Sequence, residues 1–245
     1  MQAWLRVFTA AAVALSGLVT GGVARAAPRP TVAILYFDYS GNDEGLGVLR
    51  KGLAQMMISD LSALDAIQLV ERDRLEEILA ELRLGQTTKI DAATAAKAGK
   101  LLGARYMVLG GYFDLKGALR VDARVVEVET GKVVQSVGAT GDADDFLALE
   151  QKLVGDVGAI LDKQLATPPR PPGPPGQSGT PGTTPRAPRA RPPARLARHT
   201  AVLYSRALND IDAGNKARAK ETLKQVVKEQ ADFKLAMLDL DKLMQ

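Results

Sequence analysis

The chain has 245 residues, a formal charge of +4, 4% aromatic residues and no cysteine. The absence of cysteine excludes disulfides, zinc–thiolate sites, thiol nucleophiles and the lipobox through which bacterial lipoproteins are acylated. The charge is uneven: residues 1–26 carry +2, 28–167 carry −5, 168–198 carry +6 and 199–245 carry +1. The basic excess therefore belongs to one segment, and a basic groove for nucleic acid is not indicated.

Residues 1–26 read as a cleavable secretory signal peptide. Arg6 stands in an acid-free start, Val7 to Val19 is an almost unbroken apolar run, Gly21-Gly22 break it, and Ala24-Arg25-Ala26 supply a small-x-small cleavage site. The expected cut lies between Ala26 and Ala27, because a cut one residue later would leave Pro28 at the new N-terminus. The apolar run is shorter than the ~20 residues of a membrane-spanning helix. No later stretch approaches about 18 apolar residues, so the exported chain is expected to be soluble. It has no twin-arginine pair, which points to export in the unfolded state.

Thr31 to Phe37 is a short apolar run rich in strand formers, read as a buried first strand, followed by a polar loop from Asp38 to Gly45. Leu46, Leu49, Leu53, Met57, Leu61 and Leu64 recur at helical spacing. Ile67 to Val70 reads as a second strand, and Asp73 as the cap of a helix carrying Leu75, Ile78, Leu79 and Leu82. Asp91 starts a helix of small residues that Gly103 ends. Three strands follow, over 105–115, 119–128 and 133–139, with turns at Lys116-Gly117 and Glu129 to Lys132. A helix over 144–165 closes the unit. The order β-α-β-α-α-β-β-β-α predicts an α/β fold, a mixed sheet with packed helices, over residues 28–167.

Between Pro168 and Pro193, 11 of 26 residues are proline. Such a run cannot bury enough apolar area to offset chain entropy, so 168–198 is expected to be a disordered spacer with polyproline II character. Fully extended, the 26 residues from Pro168 to Pro193 would reach about 80 Å. Its arginines at 170, 186, 189, 191, 195 and 198 also suit an anionic cell-wall or lipid surface.

In the tail, 199–245, Tyr204, Ala207, Leu208, Gly214, Ala219, Leu223, Val226 and Ala236 follow tetratricopeptide-like spacing, with Ala231 where proline usually stands. One helix–turn–helix of this kind leaves an apolar stripe of Leu203, Ala207, Leu223, Val227, Leu235 and Leu238. That stripe is expected to dock on the α/β unit, on a second copy or on a partner.

Few residues suggest chemistry. Gly45-Leu-Gly47 opens a helix but lacks the third glycine of a dinucleotide fingerprint, and Asp38, Asp43 and Glu44 would repel a pyrophosphate. Asp38, Asn42, Asp43 and Glu44 form a candidate interaction loop at a strand's carboxyl end, without the ligand spacing of an EF-hand. The single histidine, His199, has no cysteine to activate and no second histidine to share a metal with. No catalytic residue, cofactor or metal site is assigned.

Several of these stretches resemble the CsgG family, the curli secretion-channel family. They are Val32 to Asp38, Leu69 to Leu79 (LVERDRLEEIL), Ala92 to Gly110 (AATAAKAGKLLGARYMVLG) and Val121 to Val134 (VDARVVEVETGKVV). The fold is also similar to the C-terminal domain of lipoproteins that activate peptidoglycan synthases. The resemblance spans roughly residues 31–165 and implies periplasmic, envelope-associated work, including at the outer membrane. Two departures matter. Channel members carry long insertions that build a barrel, whereas the turns here are tight, and a membrane strand needs ~9–11 residues each way. Channel members are also acylated, which this chain cannot be.

The expectation is a non-enzymatic periplasmic scaffold or interaction protein, partnered by envelope proteins and by a second copy through the α/β unit. A subunit of an outer-membrane secretion complex and a periplasmic ligand-binding sensor are the alternatives from other classes. The signal reading carries a direct check. The only tryptophan is Trp4, so the exported protein should begin at Ala27 and show tyrosine-only fluorescence. Intact mass of the exported fraction decides this, and retention of residues 1–26 there would refute cleavage.

Overall fold

The computed structural model describes residues 29–82, 90–115, 117–166 and 196–245. The expected signal segment, and residues 168 to 195 of the spacer expected over 168–198, lie outside the described residues; the last three residues of that expected spacer are ordered instead, with Leu196 buried in the apolar core and Arg198 opening a helix.

The apolar run after Pro30 forms β1 (Thr31–Ile34), and Val32 to Phe37 are all buried. A strand buried on both faces needs neighbours on both edges. β1 has them in β3 (Gln68–Leu69) and β4 (Tyr106–Leu115), both parallel to it. The chain then re-enters the sheet as β2 (Asp38–Tyr39), which pairs with β4. That short strand stands where the sequence suggested loop.

β4, β5 (Ala118–Glu127) and β6 (Val133–Asp142) form an antiparallel meander. The sheet order is β3-β1-β4-β5-β6, with β2 attached to β4. Gly117 and Gly131 take positive φ (85° and 67°) at the two hairpin turns, a conformation that costs glycine least.

The helix expected from Leu46 divides into α1 (Glu44–Gly47) and α2 (Leu49–Leu61). Asp43 caps α1 through the Leu46 amide at 3.1 Å. The next helix, α3 (Arg72–Glu81), starts two residues earlier than expected: Glu71 is its N-cap without a side-chain bond, and Asp73 lies in its first turn. Asp73 is therefore not the cap; its carboxylate accepts from Arg72 instead, at 2.8 Å. Asp91 does cap α4 (Ala92–Leu101), through Thr94 at 2.7 Å. A 3-10 turn (Ala143–Asp145) leads into α5 (Phe146–Ala166).

The alternation along β5 decides the layers. Leu119, Val121, Ala123 and Val125 are buried beneath α2 and α5, and Arg120, Asp122 and Arg124 point the other way. Tyr112 on the α2 side is buried and donates to the Leu46 carbonyl at 2.6 Å. Desolvation pushes its hydroxyl well above the usual range. On the opposite face α4 lies close, with Gly99 packed on Met107 and Val128. The result is the α/β fold read from the sequence, a mixed sheet with packed helices. A helical tail follows it: α6 (Arg198–Asp212), α7 (Lys216–Glu229) and α8 (Lys234–Met244). Among the described residues no helix is long and apolar enough to cross a membrane.

Glu150 on α5 sits inside this core. Neither carboxylate oxygen has a hydrogen-bond partner among the described residues. Burial raises its pKa well above the ordinary range, with the Asp60 charge adding to the shift. An acid whose pKa is raised by folding is compatible with the native state while protonated. Its contribution is therefore intact below the unfolded value of about 4.3 and is lost as pH rises through the folded value. Glu150→Leu should remove this slope and raise stability at neutral pH by about 1–3 kcal/mol, the cost of a buried unpaired polar group. Urea unfolding across pH 4 to 8 checks it; an unchanged slope would count against the assignment.

Candidate interaction surfaces

The loop after β1 folds back on itself. Arg50 on α2 donates to Asp38 at 2.7 Å and to the Phe37 carbonyl at 3.0 Å. The Tyr39 hydroxyl bonds Asp114 and accepts from the Asp43 amide at 3.0 Å. Arg198 at the start of α6 reaches Asp43 at 3.1 Å. Of the four loop residues singled out by sequence, Asp38 and Asp43 are thus committed to internal contacts, and Asn42 and Glu44 remain exposed.

A larger seam lies between α6 and α2. Leu196, Ala201 and Val202 join the same apolar core as the sheet. Gly52 lets the helices approach: a Cβ there would stand 2.0 Å from Ser205 Oγ. Ser205 turns its hydroxyl back to the Ala201 carbonyl at 2.9 Å, which leaves no bare donor in the contact.

At the end of this seam Asp212 enters a polar pocket of the α/β unit. Lys51 on α2 and Arg72 on α3 both converge on its carboxylate, Arg72 at 2.6 Å. The side chains of Lys51, Arg72 and Asp212 are 3%, 6% and 10% exposed, so this is a desolvated triad. Lys51 also reaches Glu76 at 3.2 Å and lies over the Tyr36 ring, 5.2 Å from its centre. The Tyr36 hydroxyl bonds Glu76. Desolvation, then the Glu76 bond and charge, hold that phenol far above its usual range. Burial works against the Arg72 charge, but the bond and charge of Asp212 outweigh it and raise its pKa.

The stripe expected to dock is divided by the structure. Leu203, Ala207 and Leu223 are buried in the tail's own core with Tyr204, Leu208, Val226 and Ala236. Val227 packs partly against that core, Leu235 packs against both it and the core of the α/β unit, and Leu238 is 59% exposed. The cause is α8, a third helix that covers the α6–α7 pair. Phe233 meets Tyr204 edge to face at 4.9 Å, and the Tyr204 hydroxyl bonds Asp239 at 2.7 Å. The face turned to α2 is a neighbouring one on α6, made by Ala201, Val202, Ser205 and Asp212.

Sequence reasoning missed the Lys51–Arg72–Asp212 triad. A lysine beside a glycine in the first turn of α2 was the one local hint, and nothing local ties it to an aspartate 161 residues away.

Beside the seam, Gly45, Asp144, Ala197, Arg198, His199, Val202 and Arg206 line an open cleft of about 550 Å³. No group of three or more His, Cys, Asp or Glu side chains is placed to hold a metal among the described residues.

The fold and seam define a mixed-sheet α/β protein with a helical tail packed on its α2 side. Comparison with known families then gives a particular relationship: residues 26–116 match the family described as curli production assembly/transport component CsgG. The resemblance read from the sequence is thereby shown over that stretch, and the Val121 to Val134 hairpin lies beyond it. No curated protein matches the chain. Among solved structures, the LpoB C-terminal domain from Salmonella enterica aligns at 14% identity and TM-score 0.40, over 46% of this chain and 83% of that one. Lipoprotein GNA1162 from Neisseria meningitidis aligns at 15% and 0.41, over 58% and 100%. The PelC dodecamer from Paraburkholderia phytofirmans aligns at 14% and 0.34, over 56% and 92%.

Breaking a buried ion pair from one side leaves an uncompensated charge, at about 3–5 kcal/mol. Asp212→Ala should therefore destabilise the protein by that amount and speed amide exchange along α6. Lys224→Ala, which removes an exposed pair with Glu221, should cost less than about 1 kcal/mol. Equal effects in denaturant unfolding would show that the seam carries no special weight.

Proposed function

We propose that this is an exported, non-enzymatic cell-envelope protein that works as a scaffold or interaction module of the CsgG-like type. The observation that carries the reading is the CsgG match over residues 26–116 on a sheet whose central strands close directly on one another. β4 ends at Leu115 and β5 begins at Ala118; β5 ends at Glu127 and β6 begins at Val133. Those short connections leave no room for the ~9–11-residue strands of a membrane barrel, which favours the periplasmic portion of the family's architecture without its pore.

The organisation proposed is a signal peptide (1–26), a CsgG-like unit (28–167), a Pro/Arg-rich tether (168–198) and a tetratricopeptide-like tail (199–245). Under this reading the exposed loop residues Asn42 and Glu44 face partner proteins of the envelope. The arginines of the tether add affinity for anionic cell-wall or lipid phosphate, an attraction screened by salt.

The test is electrical. Purified full-length exported protein in planar bilayers should give no stable, uniform conductance, and a photocrosslinker at Asn42 should give discrete adducts in envelope fractions that one at Lys152 does not. A reproducible unitary pore would overturn the scaffold reading in favour of a transport subunit.

A further inference from the structure

The two edges of the sheet are built differently. One is β3, two residues long, which offers almost nothing to pair with. The other is β6, ten residues long, and among the described residues its only strand partner is β5 on its inner side. Soluble proteins blunt such an edge with charge, proline or a bulge, because a free row of N–H and C=O groups recruits another strand. β6 has one irregularity, opposite Val125/Val126 near its start. From Gln135 to Gly141 the sequence is Gln-Ser-Val-Gly-Ala-Thr-Gly, with no charge and no proline.

We propose that β6 is a self-association edge on which the β6 strand of a second copy of this chain pairs antiparallel, joining the two sheets into one. The argument for a second copy is self-complementarity. In a two-fold pairing centred on Gly138, Ser136 of each copy stands opposite Thr140 of the other, and Val137 opposite Ala139. Gln135 stands opposite Gly141. Hydroxyls meet hydroxyls on one face, small apolar groups meet on the other, and no like charges are brought together. Ser136 and Thr140 are exposed on the face that carries Arg120 and Asp122, where Thr140 lies 3.5 Å from Arg120. The chain's own proline-rich stretch is a poor occupant, since 11 of its 26 residues lack an amide donor. A two-fold pairing also closes the assembly, leaving outward only the two-residue β3 and β2 edges among the described strands. This surface does not depend on the scaffold reading.

The experiment is sedimentation of the full-length exported chain over a concentration series, with two variants. The wild type should move from monomer to dimer mass with concentration. Ser136→Lys with Thr140→Lys sets lysine against lysine twice and should shift the mass to monomer. Ser136→Lys with Thr140→Glu sets lysine against glutamate twice and should restore the dimer. Both positions are exposed, so matching circular dichroism and melting curves establish that each variant is folded. A wild type that stays monomeric throughout, or a double-lysine variant that dimerises like wild type, overturns the proposal.

Discussion

Two cations buried against one carboxylate govern how this molecule is held together. Lys51 and Arg72 belong to helices that follow β1 and β3, and both lie nearly out of reach of water. Desolvated charges of this kind are tolerated only when paired and hydrogen-bonded. Asp212 supplies that pairing from the far end of α6, 140 residues beyond Arg72. In the apolar part of the seam the one close approach is that of Ser205 over Gly52, beside Ala201, Val202 and Leu196. The triad is not permissive: one turn of slippage along α6 would take Asp212 from both cations, leaving Lys51 only Glu76 and Arg72 only the exposed Asp73. Apolar area thus supplies the adhesion of the tail and the buried charges supply its register.

That register has consequences for the rest of the surface. With α6 fixed on α2, the first turn of the tail lies beside the loop that follows β2, and Arg198 meets Asp43. The loop is organised from both sides, by Arg50 from within the α/β unit and by Arg198 from the tail, which leaves Asn42 and Glu44 as its outward face. The tail's own core, centred on Tyr204, adjoins the main one through Phe233 and Leu235, which pack against both. It is sealed by α8 rather than by the sheet, so the helices form a packed layer of their own while lending one face to the domain.

The sheet shows a matching division of labour. On its β1 side it is parallel and buried on both faces, the condition for a continuous apolar strand such as Val32 to Phe37. On its β5–β6 side it is antiparallel, covered by α2 and α5 on one face and bearing Arg120, Asp122 and Arg124 on the other. Glu150 beneath this wing is the one buried acid of α5, and nothing found in the seam or the sheet accounts for its presence there.

Sequence by itself determined the elements whose cause is local. The apolar run of β1, the Asp91 cap, the glycines of the two hairpin turns and the period of two along β5 each report physics within a few residues; the run stays buried to Phe37 as read, although the strand itself ends at Ile34. The resemblance to the CsgG family was legible for the same reason, because it rests on contiguous stretches such as Leu69 to Leu79. Boundaries shifted where neighbours compete: Glu71 displaced Asp73 as the α3 cap because Arg72 engages Asp73, and Asp38–Tyr39 became a strand because β4 extends far enough to pair with it. Only the tertiary structure decided which face of the tail meets the domain. Leu203, Ala207 and Leu223 are apolar enough for a docking stripe, yet α8 folds over them, and the contact passes to Ala201, Val202 and Ser205. Periodicity marks which residues leave water but not what covers them. The pairing of Asp212 with Lys51 and Arg72 across 161 and 140 residues exists only once the chain has closed on itself.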